Sequence, residues 1–577
     1  MKKEFAKNKG ITLVALIITI IIMLILVSVT VNIVINSGLL ETARRAGRDY
    51  QKSEIEDELE MAIASRQIQK YLPNNTETFE QTLKSTFGEE AVEKIVRTTE
   101  PETYYTDVYY VTKKGQTFTV YEDGTILDGE VEIWDGSSTE SPEFKDFNWY
   151  IYNAAQLNFL QKFVNNGNQL TTELTTLLGE KHYTASDVTM TSTTKVNLMS
   201  DIDLGARPDL SKTKVEDQWE IAANETKEWT PIGTNKNNVI GILGIFEGND
   251  YTIKGAYAST TTDGFIGIFG NSNTVQNLTI KDSYFKGTFC IGGISGALRA
   301  GEMNNCHNVN STVIGLEDAI GGITGQASSE SEGVDSCTNI GTIISYSQDE
   351  QQIQAGGIVG LGYDANISNC INYGNVIFKG TGTGTGIGGI VGKTDRGACV
   401  SDCHNLGKVE GTKCVGGIVG SASTVVTRCS NTGSVTGTES VGGIVGNSIK
   451  KYGQDISLCY NLGTVIGSGV EVGGISGYLG SNGYEGKEYK CYNKGIVTTT
   501  ASTDQIGGVV GDMGADAEVT NCYYLNSIGV QYGIGTVSNS SVNIETQRAG
   551  AKATTYDIKT FDEFLSIMEG DMSVLDD

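Results

Sequence analysis

The sequence runs to 577 residues, enough for several domains, and holds 73 glycines beside 5 prolines. Glycine at that level without proline excludes the usual low-complexity disordered chain and points to corners repeated along a folded backbone. A formal net charge of -27 argues against a nucleic-acid partner and against docking on anionic lipid, and it keeps a long exposed rod soluble.

Residues 1–10 are short and basic, with Lys2, Lys3, Lys7 and Lys9 ahead of Gly10. Residues 11–35 are almost entirely apolar and carry no charge. A stretch of that length exceeds the roughly 20 residues a helix needs to cross a bilayer. The lysines place the N-terminus in the cytoplasm and send the rest outward. The segment Lys9-Gly10-Ile11-Thr12-Leu13-Val14-Ala15-Leu16 resembles the class III leader of type IV prepilins. That resemblance implies cleavage after Gly10 by a prepilin peptidase, N-methylation of Ile11, and other pilin subunits as partners. The family usually carries a glutamate where this chain has Ala15, which bears on filament assembly more than on cleavage. The alternative is a plain signal anchor.

A helix is expected to continue through 11–72, with Leu39, Leu40, Ile55, Leu59, Ile63 and Ile68 at three- and four-residue steps until Pro73. Residues 73–135 read as a small α+β head. It has two short helices around Phe79, Leu83, Phe87, Val92 and Ile95, then antiparallel strands with turns at Lys114-Gly115 and Gly124. By resemblance, a lipid-embedded spine carrying such a head is the pilin plan. Residues 136–195 read as a linker, Ser137 to Pro142, and a helical cap beginning at Trp149.

A parallel β-helix is expected over 196–530: irregular coils open it, and from Ile266 to Asn526 one unit recurs about every thirty residues. Its clearest copy is Val415-Gly416-Gly417-Ile418-Val419-Gly420 followed by Cys429-Ser430-Asn431-Thr432-Gly433-Ser434-Val435. The first glycine recurs at 292, 321, 356, 388, 416, 442, 473 and 507, and the cysteine at 306, 337, 370, 403, 429, 459, 491 and 522. The slot of Ile418 accepts only β-branched aliphatics and is expected to face a dry interior. The next slot holds Ser295, Thr324 and Ser476 among valines and is expected to face out. The pattern predicts a parallel β-solenoid of about ten coils, roughly 50 Å long at about 4.8 Å per coil. Each coil would carry three strands, at the Gly-Gly, cysteine and Gly-x-Val segments. Stacked asparagines, Asn339 to Asn493, would form a ladder, and glycines would mark the corners. A propeller blade would need about forty residues and four strands.

These copies resemble GLUG repeats, the Gly-Gly-Ile-Val-Gly units of bacterial surface proteins, including the N-terminal parts of some immunoglobulin A peptidases. The resemblance implies a right-handed parallel β-helix on a cell surface and does not imply catalysis. Residues 531–577 read as a C-terminal cap and tail, with a short closing helix at 561–568 and no cell-wall sorting signal.

Eleven cysteines might suggest disulfides. Those in equivalent slots have parallel Cβ vectors, however, and read as small buried core residues. Cys290, Cys399 and Cys414 fall outside the slot. No catalytic, cofactor or metal residue is expected. His182 stands apart, and His307 and His404 follow cysteines whose side chains point the other way. The zincin motif, the calcium nonapeptide and the P-loop are all missing. Asp201 and Asp203 form the nearest carboxylate pair on one strand face.

The expected function is that of a non-enzymatic adhesin, pilin-like or membrane-anchored, presenting the solenoid to a glycan, protein or neighbouring cell. The alternatives are a tethered carbohydrate-active β-helix enzyme or a structural stalk without a ligand.

Overall fold

In a computed structural model the described residues are 39–69, 77–95, 108–206, 227–537, 551–554 and 558–569. Within these stretches, residues 123, 234–240, 261–263, 329–331, 347–352, 382–385, 450–454, 481–485, 502–504, 515–516 and 559 are left out. The Gly10–Ile11 cleavage point and the apolar segment 11–35 lie outside the described residues. Among the described residues no helix is long and apolar enough to cross a membrane. The chain divides into two compact units, 1–100 with 106–130, and 101–105 with 131–577.

In the first unit, helix α1 (Leu39–Gln69) presents Ile55, Leu59 and Ile63 on one face. Helix α2 (Phe79–Phe87) starts at Thr78, which exchanges capping hydrogen bonds with Gln81. Four strands, β1 (Val92–Lys94), β2 (Val108–Lys113), β3 (Gln116–Tyr121) and β4 (Ile126–Asp128), form an antiparallel sheet in that order. Val111, Phe118 and Val120 bury against the helix face together with Phe79 and Leu83. The β2–β3 hairpin turns at Lys114 and Gly115, whose φ values of 53° and 77° suit a primed turn. The second helix expected near Val92 is a strand. After Gly88, at φ 102°, a single 3-10 turn (Glu89–Ala91) leads into β1, where Val92 pairs with Val111.

The second unit is a parallel β-solenoid whose sheets, among the described residues, hold 23, 9, 9 and 10 strands. One coil shows the plan: Lys413–Gly416, Val419–Ala422, Val425–Thr427, Ser430–Asn431 and Val435–Gly437. Five short strands therefore replace the three expected. The next coil repeats them in register, with Gly416 beside Gly442, Val419 beside Val445, Asn431 beside Asn461 and Val435 beside Val465. Two strands per coil belong to one broad sheet, because the chain kinks at the cysteine.

The Gly-Gly pair spans the end of a strand and the start of a corner: Gly416 closes Lys413–Gly416 and Gly417 opens the bend. A Cβ on Gly416 would stand 2.0 Å from the Val419 carbonyl oxygen, and one on Gly417 would stand 2.1 Å from the Gly443 carbonyl oxygen. Close backbone approach fixes glycine there. The slot after the corner isoleucine faces inward, contrary to expectation. Ser295, Thr324 and Ser476 are as buried as the valines that replace them. Their hydroxyls are tolerated because each finds an acceptor, such as the Ala297 carbonyl for Ser295 at 3.0 Å and the Gln326 carbonyl for Thr324 at 3.1 Å.

Before the regular coils, Trp149 is strand, not helix: Asn148–Ile151 pairs in parallel with Lys195–Leu198. Helices α3 (Ala154–Asn165) and α4 (Thr172–Glu180) follow, and Leu157, Leu160 and Phe163 join the same buried core as Phe246 and Phe269. The stretch read as a linker is held in place. Asn158 Nδ2 and Trp134 Nε1 both donate to the Ser138 carbonyl, at 2.9 and 3.1 Å.

Past Asn526 the motif fades, yet Ile534–Val537 and Ala551–Thr554 still add parallel strands. Helix α5 (Phe561–Glu569) does not close the end. It straps along the flank, where Phe564 stacks on Tyr460 with centroids 5.3 Å apart, and Tyr460 and Tyr492 stack at 5.5 Å.

Candidate functional site

The chemistry-bearing residues of the solenoid are set by one backbone feature. Immediately before each repeat cysteine stands a non-glycine residue in the left-handed region: Asn305, Ser336, Asn369, Asp402, Arg428, Leu458, Lys490 and Asn521, all with φ between 49° and 54°. This kink turns the cysteine thiol inward and back on its own strand. Cys429 Sγ lies 3.2 Å from the Thr427 carbonyl oxygen and Cys403 Sγ 3.2 Å from that of Ser401. A small apolar side chain that is also a weak donor fits such a place, which accounts for the uniform slot. All eleven cysteines are free thiols, and ten are buried. Burial pushes the Cys337, Cys403, Cys429 and Cys491 thiols well above their ordinary value.

Two residues on, the asparagine ladder forms as expected and begins one coil earlier, at Asn308. Each amide Nδ2 donates to the Oδ1 of the next asparagine, from Asn308 through Asn339, Asn372, Asn405, Asn431 and Asn461 to Asn493, at 2.8–2.9 Å. The row ends with Asn493 donating to the Gly508 carbonyl at 3.0 Å.

Three residues before each cysteine runs a third column: Met303, Val334, Ile367, Val400, Val426, Ile456, Glu488 and Val519, in register. Seven of these positions are apolar and one is a carboxylate. Glu488 is fully buried. Its Oε2 accepts a hydrogen bond from Ser476 Oγ at 2.5 Å, while Oε1 has no hydrogen-bond partner among the described residues. Burial pushes the carboxyl up to about 8, against the pull of the Ser476 hydroxyl. The donor atoms of Glu488, Cys491 and Cys522 all lie within 4.8 Å of one another. The sequence carried the signal in this column, where one acid interrupts a run of aliphatics.

The residues singled out from sequence fall elsewhere. Asp201 and Asp203 are buried in structural roles: Asp201 accepts from the Thr252 amide at 2.6 Å and Asp203 from the Gly205 amide at 2.8 Å. His307 Nε2 lies 3.1 Å from Asn305 Oδ1, and burial lowers its pKa. His404 Nδ1 lies 2.7 Å from Ser430 Oγ, with its ring against Phe561. The turn after α4 places His182 at φ 65°. Gly10 and Ile11 lie outside the described residues.

Comparison with known proteins adds little. No protein-family model matches the chain, and no curated protein matches it. Among solved structures it is similar to a provisionally named immunoglobulin A1 protease from Bacteroides ovatus, at 15% identity and a TM-score of 0.25, over 75% of this chain and 86% of that one. A likeness that weak carries no functional argument.

Proposed function

We propose that this chain is a non-enzymatic surface-display protein: an adhesin built on a GLUG-type, right-handed solenoid and held to the cell by its N-terminal segment. One observation carries the reading. The interior columns are uniform, while half-buried outward positions in the same register vary, as in Thr338, Ile371 and His404. Ile340, Tyr373 and Leu406, each one residue past a ladder asparagine on successive coils, stand 45–49% exposed. A fixed frame presenting a changeable and partly apolar face suits recognition of a partner. Anchoring through residues 11–35, with cleavage after Gly10 by a prepilin peptidase, completes the proposal.

Two measurements test it. Intact mass of the chain recovered from bacterial membranes should show a start at a methylated Ile11, and Gly10→Trp should retain the leader; an unprocessed wild-type N-terminus sinks the pilin-like anchor. Glycan-array and cell-binding assays on the full chain should find a ligand whose binding drops when Tyr373 is replaced by Ser. Uniform failure to bind would leave a stalk, and robust polysaccharide turnover would favour an enzyme.

A further inference from the structure

A carboxyl group in a column of aliphatics is costly. Val426, Ile456 and Val519 show what that position accepts, and a valine at 488 would bury no polar atom. Glu488 instead leaves one buried oxygen without a partner among the described residues, and its carboxyl lies beside two thiols. Its other oxygen is held by Ser476 from across the interior, which fixes the plane of the carboxyl.

We propose that Glu488 Oε1, Cys491 Sγ and Cys522 Sγ form a binding site for a thiophilic divalent cation, with zinc as the reference ion. Two sulfurs and one carboxylate oxygen make a zinc-type donor set, whereas calcium and magnesium seek six or more oxygens. A carboxylate oxygen of Glu488 and the two sulfurs already lie within 4.8 Å of one another, and rotation of the carboxyl can turn Oε1 toward them. Tetrahedral zinc, with Zn–S near 2.3 Å, would bring the sulfurs to about 3.8 Å. Closing from 4.8 Å to that spacing asks the sulfurs to move by about 1 Å, which side-chain torsions supply. Three protein ligands leave a fourth position open.

The site depends on register. Cys491 and Cys522 meet because adjacent coils stack, with Tyr492 beside Tyr523, and Glu488 joins them from the strand leading into Cys491. Neither half exists in the unfolded chain. All three ligands are buried, so the ion must enter as the last coils close, and binding then appears as added stability. The proposal assigns the ion a structural role at the C-terminal coils and is independent of any ligand on the outer face.

The test uses the full-length chain, unfolded and refolded under reductant with chelator, zinc or cobalt. Wild type should retain about one zinc per chain through gel filtration. With cobalt it should show a thiolate-to-metal charge-transfer band, and its unfolding midpoint should rise with either metal. Glu488→Val keeps the side chain its column favours and should refold, with neither the metal nor the rise in midpoint. Cys522→Ser should lose the charge-transfer band. Cys337→Ser, in the same thiol column but remote from Glu488, should behave like wild type. Failure of the wild type to retain metal overturns the proposal whatever the variants do. So does equal retention by Glu488→Val, or loss of metal in Cys337→Ser.

Discussion

Ser476 and Glu488 meet inside the solenoid, hydroxyl to carboxylate oxygen at 2.5 Å, with both side chains fully buried. Coils on either side fill the Glu488 position with Ile456 and Val519. The pair is therefore a local departure from a dry core and has a measurable cost when no metal is present.

That cost depends on pH. Burial raises the folded-state pKa of Glu488 from 4.5 to about 8, so the folded chain holds this proton more tightly than the unfolded one. Below 4.5 both states are protonated and nothing is lost; as pH rises toward about 8 the unfolded chain ionises first and stability falls. The groups facing the carboxyl are the Ser476 hydroxyl and the Cys491 and Cys522 thiols. In chelator, Glu488→Gln should flatten this slope, and Glu488→Val should be more stable than wild type at pH 8. Denaturant midpoints across the pH range check both.

The asparagine ladder should be costly to break in the middle. Asn431 accepts from Asn405 Nδ2 at 2.8 Å and donates to Asn461 Oδ1 and the Gly433 carbonyl, each at 2.9 Å. Asn431→Ala strands several buried polar atoms and should cost about 3 kcal/mol, against less than about 0.5 kcal/mol for Thr432→Ala on the exposed side. The two denaturation curves, measured side by side, decide.

The kink before each cysteine favours asparagine over other non-glycine residues. Ser336 sits there at φ 54° with an exposed side chain, between coils that use Asn305 and Asn369. Ser336→Asn should stabilise the chain by about 1 kcal/mol, since asparagine tolerates left-handed backbone. An unchanged or lowered midpoint would mean that the backbone cost is relieved some other way.

The thiols should behave as interior groups. Native alkylation followed by mass spectrometry should modify half-buried Cys399 first and spare the eight repeat cysteines, all of which should react after unfolding under reductant. Recovery of disulfides between neighbouring repeat cysteines would contradict the packing.

Much of the solenoid could be read from the sequence, because every coil asks the same question of the same slot. Eight isoleucines or valines after the second glycine, eight cysteines and a run of asparagines reveal interior columns by repetition alone. The inward hydroxyls of Ser295, Thr324 and Ser476 were harder to place, because alternation predicts the opposite face and only the corner at Gly-Gly-Ile reverses it. The strand count was obscured for a related reason: the left-handed residue before each cysteine has no single identity, ranging from Asn to Leu458 and Lys490, so composition cannot mark the break. Trp149 lies next to a helical pattern, and only its pairing with Val196 reveals a strand. Helix α5 was visible as an element, but its place beside Tyr460 and Tyr492 depends on contacts about a hundred residues away in sequence. Glu488 was readable in principle from its column.

The row of amides from Asn308 to Asn493 points one way. Every nitrogen hands its hydrogen to the neighbour nearer the C-terminus, and Asn308 Oδ1, at the start, has no donor among the described residues. Small dipoles aligned head to tail give the rod an internal arrow and reinforce one another. A spare coil could thus be spliced in or removed at any rung, with the arrow rejoining across the cut, so reach can change by whole steps without redesigning the interior. A unit inserted backwards would set oxygen against oxygen and would be rejected.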